Sequence, residues 1–330
     1  MAAGEPRYIA VDLGATKIRV AICSRSRILD KKVIPTPRTG GSEIIAETIA
    51  SLVRSEWGNK LKDINAVGVA SIGPLDLKRG VVVKPPNLPL LREIKLLEPL
   101  REMLGVRVYV VNDAVAAAWG EKHFGSGGSV RNLLYVTLST GVGGGVIVDN
   151  HLLLGKKGNA HEIGHIVVDY NSDLRCGCGG YGHWEAYAGG GNLPRVARWL
   201  LGKNPELYKG SKLAERITRG EEVTSIDIFA YYRSGDPLSL KTVELFIKAT
   251  GAGLASAINS YDPELVVIGG GVFLNNTDIL LEPITAETLR NIVTEPPLIK
   301  PTSLGDDVGV YGALAIAVNP PPELVDIQGV

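Results

Sequence analysis

Residues that age chemically are scarce in this chain: one glutamine, Gln328, two methionines and three cysteines among 330 residues. Depletion of this kind belongs to the composition of proteins from hot environments, and raised thermal stability is the expectation it sets. Cys23, Cys176 and Cys178 form no disulfide framework, which excludes the small secreted scaffolds and points to a reducing cytoplasm. No apolar run reaches signal-peptide or transmembrane length, so no membrane partner is expected. Charge of one sign is not in excess either, since 35 Lys plus Arg balance 35 Asp plus Glu. Without a net field the chain has no global attraction for nucleic acid or an anionic lipid surface, and any anionic ligand must be gripped locally. What is there, with 45% of residues hydrophobic, is enough to bury two cores of ordinary size.

The chain also repeats itself. Tyr8-Ile9-Ala10-Val11-Asp12-Leu13-Gly14-Ala15-Thr16-Lys17 reads as a strand running into a glycine-bearing turn and a second strand, and Tyr135-Val136-Thr137-Leu138-Ser139-Thr140-Gly141-Val142 repeats the pattern. Aligned on the tyrosines, Asp12 meets Ser139 and Gly14 meets Gly141. Duplication changes the architecture to expect: an α/β fold of two similar lobes with a cleft between them. Elsewhere strands and helices alternate. Ser42 is placed to cap a helix carrying Ile44, Ile45, Ile49, Leu52 and Val53, followed by a buried strand over 66–70. A second helix is read over 93–104, a strand over 106–111, a helix over 114–123, and a lobe boundary in the glycine-serine run 125–129. The boundaries expected are 1–123 for a smaller lobe and 124–305 for a larger one. In the larger lobe a helix over 239–260 precedes a strand over 265–268 and the turn Gly269-Gly270-Gly271, and a last helix over about 306–319 returns to the smaller lobe.

Gly141-Val142-Gly143 is not a dinucleotide fingerprint, because that motif must open a helix, and here Gly145 leads into the strand-like Val146-Ile147-Val148. Hairpin turns are the better reading. Their glycines let backbone N–H groups approach phosphate oxygens, and Thr16, Ser139 and Thr140 add hydroxyls; two ordinary hairpins are the bland alternative. Asp12, closing an apolar strand, is placed to hold a hydrated Mg²⁺ or to form an Asx turn. Asp113, where a buried strand gives way to a helix, is a candidate base or a helix N-cap, and Asn112 beside it can orient a hydroxyl. His165, Cys176, Cys178 and His183 fall within 19 residues in a glycine-rich stretch, the composition of a closed structural Zn²⁺ site. A redox pair at Cys176 and Cys178, or free thiols, are the alternatives.

At these residues the chain resembles the ROK group of sugar kinases and sugar-responsive repressors, whose fold is the actin, Hsp70 and hexokinase type with ribonuclease H-like lobes. The resemblance covers nearly the whole chain. Asp12-Leu13-Gly14-Ala15-Thr16, with Lys17 after it, looks like the family's first phosphate motif, 139–145 its second, and Gly269-Gly270-Gly271-Val272 its adenosine turn. Asn112-Asp113 matches the sugar-binding Asn and catalytic Asp; Asn87, Glu162, His165 and Glu185 match sugar-hydroxyl contacts, His165 also ligating zinc through its other ring nitrogen. The pattern Cys-x-Cys-Gly-x-x-Gly-Cys-x-Glu is kept with one departure, His183 in place of the third Cys. Only seven residues precede Tyr8, where the repressors carry a helix-turn-helix region, so the kinase branch is the expectation. The resemblance implies an ATP- and Mg²⁺-dependent glucokinase or hexokinase acting on the sugar 6-hydroxyl. A kinase for an amino sugar such as N-acetylmannosamine and a non-catalytic sugar-binding regulator stand as alternatives. Neither the donor, the hexose nor the oligomeric state is readable from the residues.

Overall fold

The computed structural model describes residues 5–329. It divides by contact into two units, one holding residues up to 135, 145–161 and from 302 on, the other holding 136–144 and 162–301.

The first sheet contains β1 (Arg7–Leu13), β2 (Lys17–Cys23), β3 (Ile28–Pro35), β4 (Ile64–Ser71) and β5 (Arg107–Asn112), ordered β3-β2-β1-β4-β5. β1, β2 and β3 pair antiparallel in sequence, whereas β4 joins β1 and β5 joins β4 in parallel. The second sheet contains β6 (Leu133–Leu138), β7 (Val142–Val148), β8 (His151–Leu152), β9 (Leu265–Gly269) and β10 (Leu298–Pro301), ordered β8-β7-β6-β9-β10. The two orders are the same, third-second-first-fourth-fifth, so the sequence repeat is a repeat of topology. β1 and β4 carry almost unbroken buried runs, as parallel strands covered on both faces require.

In the first unit the helix Val308–Val318 packs on this sheet and on the helix Asp113–Phe124. Small residues permit the approach. A Cβ on Gly68 would stand 1.9 Å from Ala313 O, and one on Gly312 2.4 Å from Ala116 O. The lone glutamine closes the edge of the sheet: Gln328, 5% exposed, accepts from Val110 N at 3.1 Å and donates to Val110 O at 2.7 Å, mimicking the next strand.

Three local expectations are corrected. The first helix, Ile44–Trp57, starts after Glu43, so Ser42 does not cap it. Residues Glu93–Lys95 are a strand paired with Val81–Val83, and the helix begins only at Leu97, ending as expected at a left-handed Gly105. Asn112, not Asp113, is the N-cap of Asp113–Phe124, its side chain accepting from Ala114 N and Val115 N.

In the second unit the long helix Pro237–Tyr261 is the packing axis. Trp184, fully buried, lies against Gly253, where a Cβ would stand 2.3 Å from the indole, and its Nε1 donates to Thr250 Oγ1 at 3.3 Å. Loss of such a side chain costs about 3–5 kcal/mol. That anchor fixes the positions of its neighbours His183 and Glu185.

Candidate functional site

In the first unit the chemistry-bearing residues gather at the ends of β1, β4 and β5. Asp12 is the penultimate residue of β1, at 9% exposure, and the pairing of β1 with β2 sets Arg19 directly opposite, with Nη1 2.5 Å from Oδ2. Burial pushes the Asp12 carboxyl up and the Arg19 guanidinium opposes it. Gly14, Ala15 and Thr16 form the turn, closed by Gly14 N donating to Lys17 O at 3.1 Å. Thr36, which sequence reasoning passed over, braces it: Oγ1 donates to Gly14 O at 2.7 Å and its N–H to Thr16 O at 3.0 Å. Asn112 and Asp113 lie half-buried at the junction between β5 and the helix. Because Asn112 gives its Oδ1 to the cap, its amide nitrogen is what it can offer a ligand, and that nitrogen lies beside Gly73, after the end of β4. Asn87 is exposed in a turn of this unit.

In the second unit the turn between β6 and β7 is held from several sides. Ser139 N donates to Gly141 O at 3.0 Å; Gly190 N and Gly191 N donate to Ser139 O and Thr140 O at 2.8 and 2.9 Å; Val142 N donates to Glu185 Oε2 at 3.0 Å. The run Gly189-Gly190-Gly191 was not singled out, although three glycines just after Glu185 were its signal. A Cβ on Gly190 would meet Ser139 O at 2.8 Å. Gly269 ends β9, and Gly270, at φ +91°, turns the chain so closely over β6 that a Cβ would stand 2.4 Å from Leu138 O; Gly271 then opens a short helix. Between these turns lies a cavity of about 430 Å³ whose lining includes Ser139, Thr140, Gly271 and Val272, with Ile226 and Phe229 on another wall. It has no charged lining residue, a setting for an uncharged planar group beside a phosphate turn. Residues of the first two turns of the helix Ser225–Arg233 form that wall, and the helix is fixed by a capping box between Thr224 and Asp227 and by Arg216 at 2.8 Å from Asp227.

The donor atoms of His165, Cys176, Cys178 and His183 all lie within 4.8 Å of one another. Zn–S and Zn–N bonds of about 2.0–2.3 Å in a tetrahedron imply donor–donor edges of about 3.3–3.8 Å, so the set fits a small divalent ion with slight contraction. His165 turns Nδ1 towards Cys176 Sγ, at 4.0 Å, and Nε2 towards Glu162 Oε2, at 3.6 Å, the carboxylate–histidine arrangement that orients a ligating imidazole. His183 Nδ1 is 3.2 Å from Cys178 Sγ, and burial, then His165, push its pKa down towards the neutral form that ligates. Burial pushes the Cys176 thiol up to about 11, a cost that a bound cation would reverse.

Two sheets of like strand order, each presenting a glycine-bearing hairpin turn, define a fold of the actin and hexokinase type. The ROK family profile matches residues 8–319, and the chain belongs to that family. Among its relatives, the glucokinase of Pyrobaculum calidifontis is 40% identical over 321 residues, covering 96% of this chain and 97% of that enzyme. The ROK hexokinase of Thermus thermophilus superposes with a TM-score of 0.81 at 33% identity, over 94% of this chain and 97% of the other. A ROK glucokinase of Streptomyces griseus, solved in complex with glucose and AMPPNP, gives 0.71 at 34% identity, over 94% and 99%. No helix among the described residues is long and apolar enough to cross a membrane.

Proposed function

We infer that the protein is an ATP-dependent glucokinase, transferring the γ-phosphoryl group to the 6-hydroxyl of glucose. The observation that carries the reading is the likeness to glucokinases over nearly the whole length of both chains. The site residues are assigned as follows. Asp113, at the first position of a helix that Asn112 caps, takes the proton of the attacking hydroxyl. The Asn112 amide, Asn87, Glu162, His165 and Glu185 bind sugar hydroxyls. In the second turn Ser139 N and Val142 N are engaged within the protein, so donor phosphates are met by the Thr140 and Gly141 amides between them; the Gly14–Lys17 turn serves the same purpose. The base lies in the uncharged cavity against Gly269, Gly270 and Gly271. Asp12, a buried carboxylate kept in place by Arg19, fits a hard cation and would hold Mg²⁺, which when bound neutralises phosphate charge. The protein's own contribution is alignment and electrostatic complementarity, since phosphoryl transfer leaves it little covalent chemistry. Zn²⁺ on His165, Cys176, Cys178 and His183 is structural, because four protein donors leave no open position.

The test is ADP release from Mg·ATP with glucose, mannose, fructose, glucosamine, N-acetylmannosamine or no sugar. Strong stimulation by glucose with a 6-phosphate product is expected. Stimulation by N-acetylmannosamine alone would replace the substrate, and sugar-independent turnover would overturn the kinase reading.

A further inference from the structure

Glu185 touches two features of the second unit that have so far been treated separately. Oε2 accepts from Val142 N at the end of the second turn, at 3.0 Å, and Oε1 lies 3.7 Å from Cys176 Sγ, one of the four metal-donor atoms. The contact is built into the surrounding chain. A Cβ on Gly141 would stand 2.5 Å from Oε2, so that glycine leaves the space the carboxylate fills. Glu185 O accepts from Asn192 Nδ2 and from Gly189 N, both at 2.9 Å, which ties the same residue to the glycine strap behind the turn.

We propose that Glu185 is a positioning residue for the donor-phosphate turn as well as a sugar contact; the word donor here rests on the glucokinase reading. Oε2 holds Val142 N, and Oε1 is the oxygen a sugar hydroxyl would meet. One side chain so links acceptor and donor, and a carboxylate that only touched sugar would not.

The experiment compares hydrogen exchange of the 139–145 peptide and calorimetric binding of AMPPNP, with glucose absent, in the parent protein and in its Glu185→Ala, Glu185→Asp and Glu185→Gln variants. Loss of one buried amide's acceptor is expected to speed Val142 exchange about tenfold and to weaken AMPPNP about as much. Glu185→Asp keeps the charge but falls one methylene short, so it should behave as Ala does. Glu185→Gln keeps an acceptor and should stay within about threefold of the parent in both readouts. Unchanged Val142 exchange in Glu185→Ala and Glu185→Asp, or AMPPNP binding intact in both, overturns the proposal. Absence of AMPPNP binding by the parent would instead count against the glucokinase reading, and the exchange comparison would still judge the tie between Glu185 and the turn.

Discussion

Replacing Asp113 by Asn separates chemistry from structure at the junction of β5 and its helix. The cap survives the change, because Asn112 Oδ1 receives Ala114 N at 2.9 Å and Val115 N at 3.4 Å. The Asp113 Oδ1 bond from Ala114 N, at 2.8 Å, is one an amide oxygen can keep. The negative charge removed from the first helical turn is worth about 0.3–1 kcal/mol. That corresponds to a melting shift of only about 1–4 °C for a unit of this size. What catalysis loses is the proton acceptor, worth about 10²–10⁴ in rate, or about 2.7–5.4 kcal/mol of barrier. Glucose-dependent ADP release at saturating Mg·ATP, glucose titration by calorimetry and a thermal melt measure the three quantities. The expected pattern is a fall in kcat of about 100- to 10,000-fold with glucose affinity within about tenfold and the melt nearly unmoved. A kcat within tenfold of the parent, in a variant that still binds glucose, would refute the assignment of Asp113 as the base.

Three further outcomes follow from the same structure. Hydrogen bonds from Arg216 and then Thr224 hold the Asp227 carboxyl down at about 2, so its stabilisation is present above the ordinary carboxylate range and is lost as the pH falls from about 4 to about 2; Asp227→Asn should cost about 1 kcal/mol at pH 7, modest because the pair is partly exposed, and urea midpoints should converge with the parent's near pH 2. His183→Cys should keep one equivalent of zinc and His183→Ala should lose it, as read by metal analysis with a thermal melt; equal zinc in both would remove His183 from the ligand set. Gly68→Ala forces a methyl into the Ala313 carbonyl and should destabilise by about 3 kcal/mol or more, seen as a lowered urea midpoint with the second unit's metal content unchanged.

The sequence carried what depends on local chemistry. A strand, a glycine turn and a strand are legible because the pattern is continuous in the chain, and its recurrence at residue 135 predicted two similar lobes. The clustering of His165, Cys176, Cys178 and His183 was legible because all four fall in one short stretch. Arg19 opposite Asp12 was within reach too, since a turn over residues 14–17 makes positions 12 and 19 cross-strand partners. Other features depended on pairing at a distance. Residues Glu93–Lys95 carry a helical pattern in themselves, yet hydrogen bonding to Val81–Val83 takes them into a sheet. The choice of Asn112 over Asp113 as cap turns on one backbone angle, with Asn112 extended at ψ 148° and Asp113 already helical. Glu185 bonds an amide 43 positions away, and nothing in either segment announces the other.

The use of Gln328 as a substitute strand has a consequence for how the protein is made. The first unit needs residues from 302 on, including the helix that packs on β1 and β4 and the amide that closes β5. On the ribosome those residues emerge only after about 140 intervening ones, a delay of about 7–28 s at about 5–20 residues per second. The N-terminal strands are therefore synthesised first and completed last, and the second unit has its whole sequence available before the first can close.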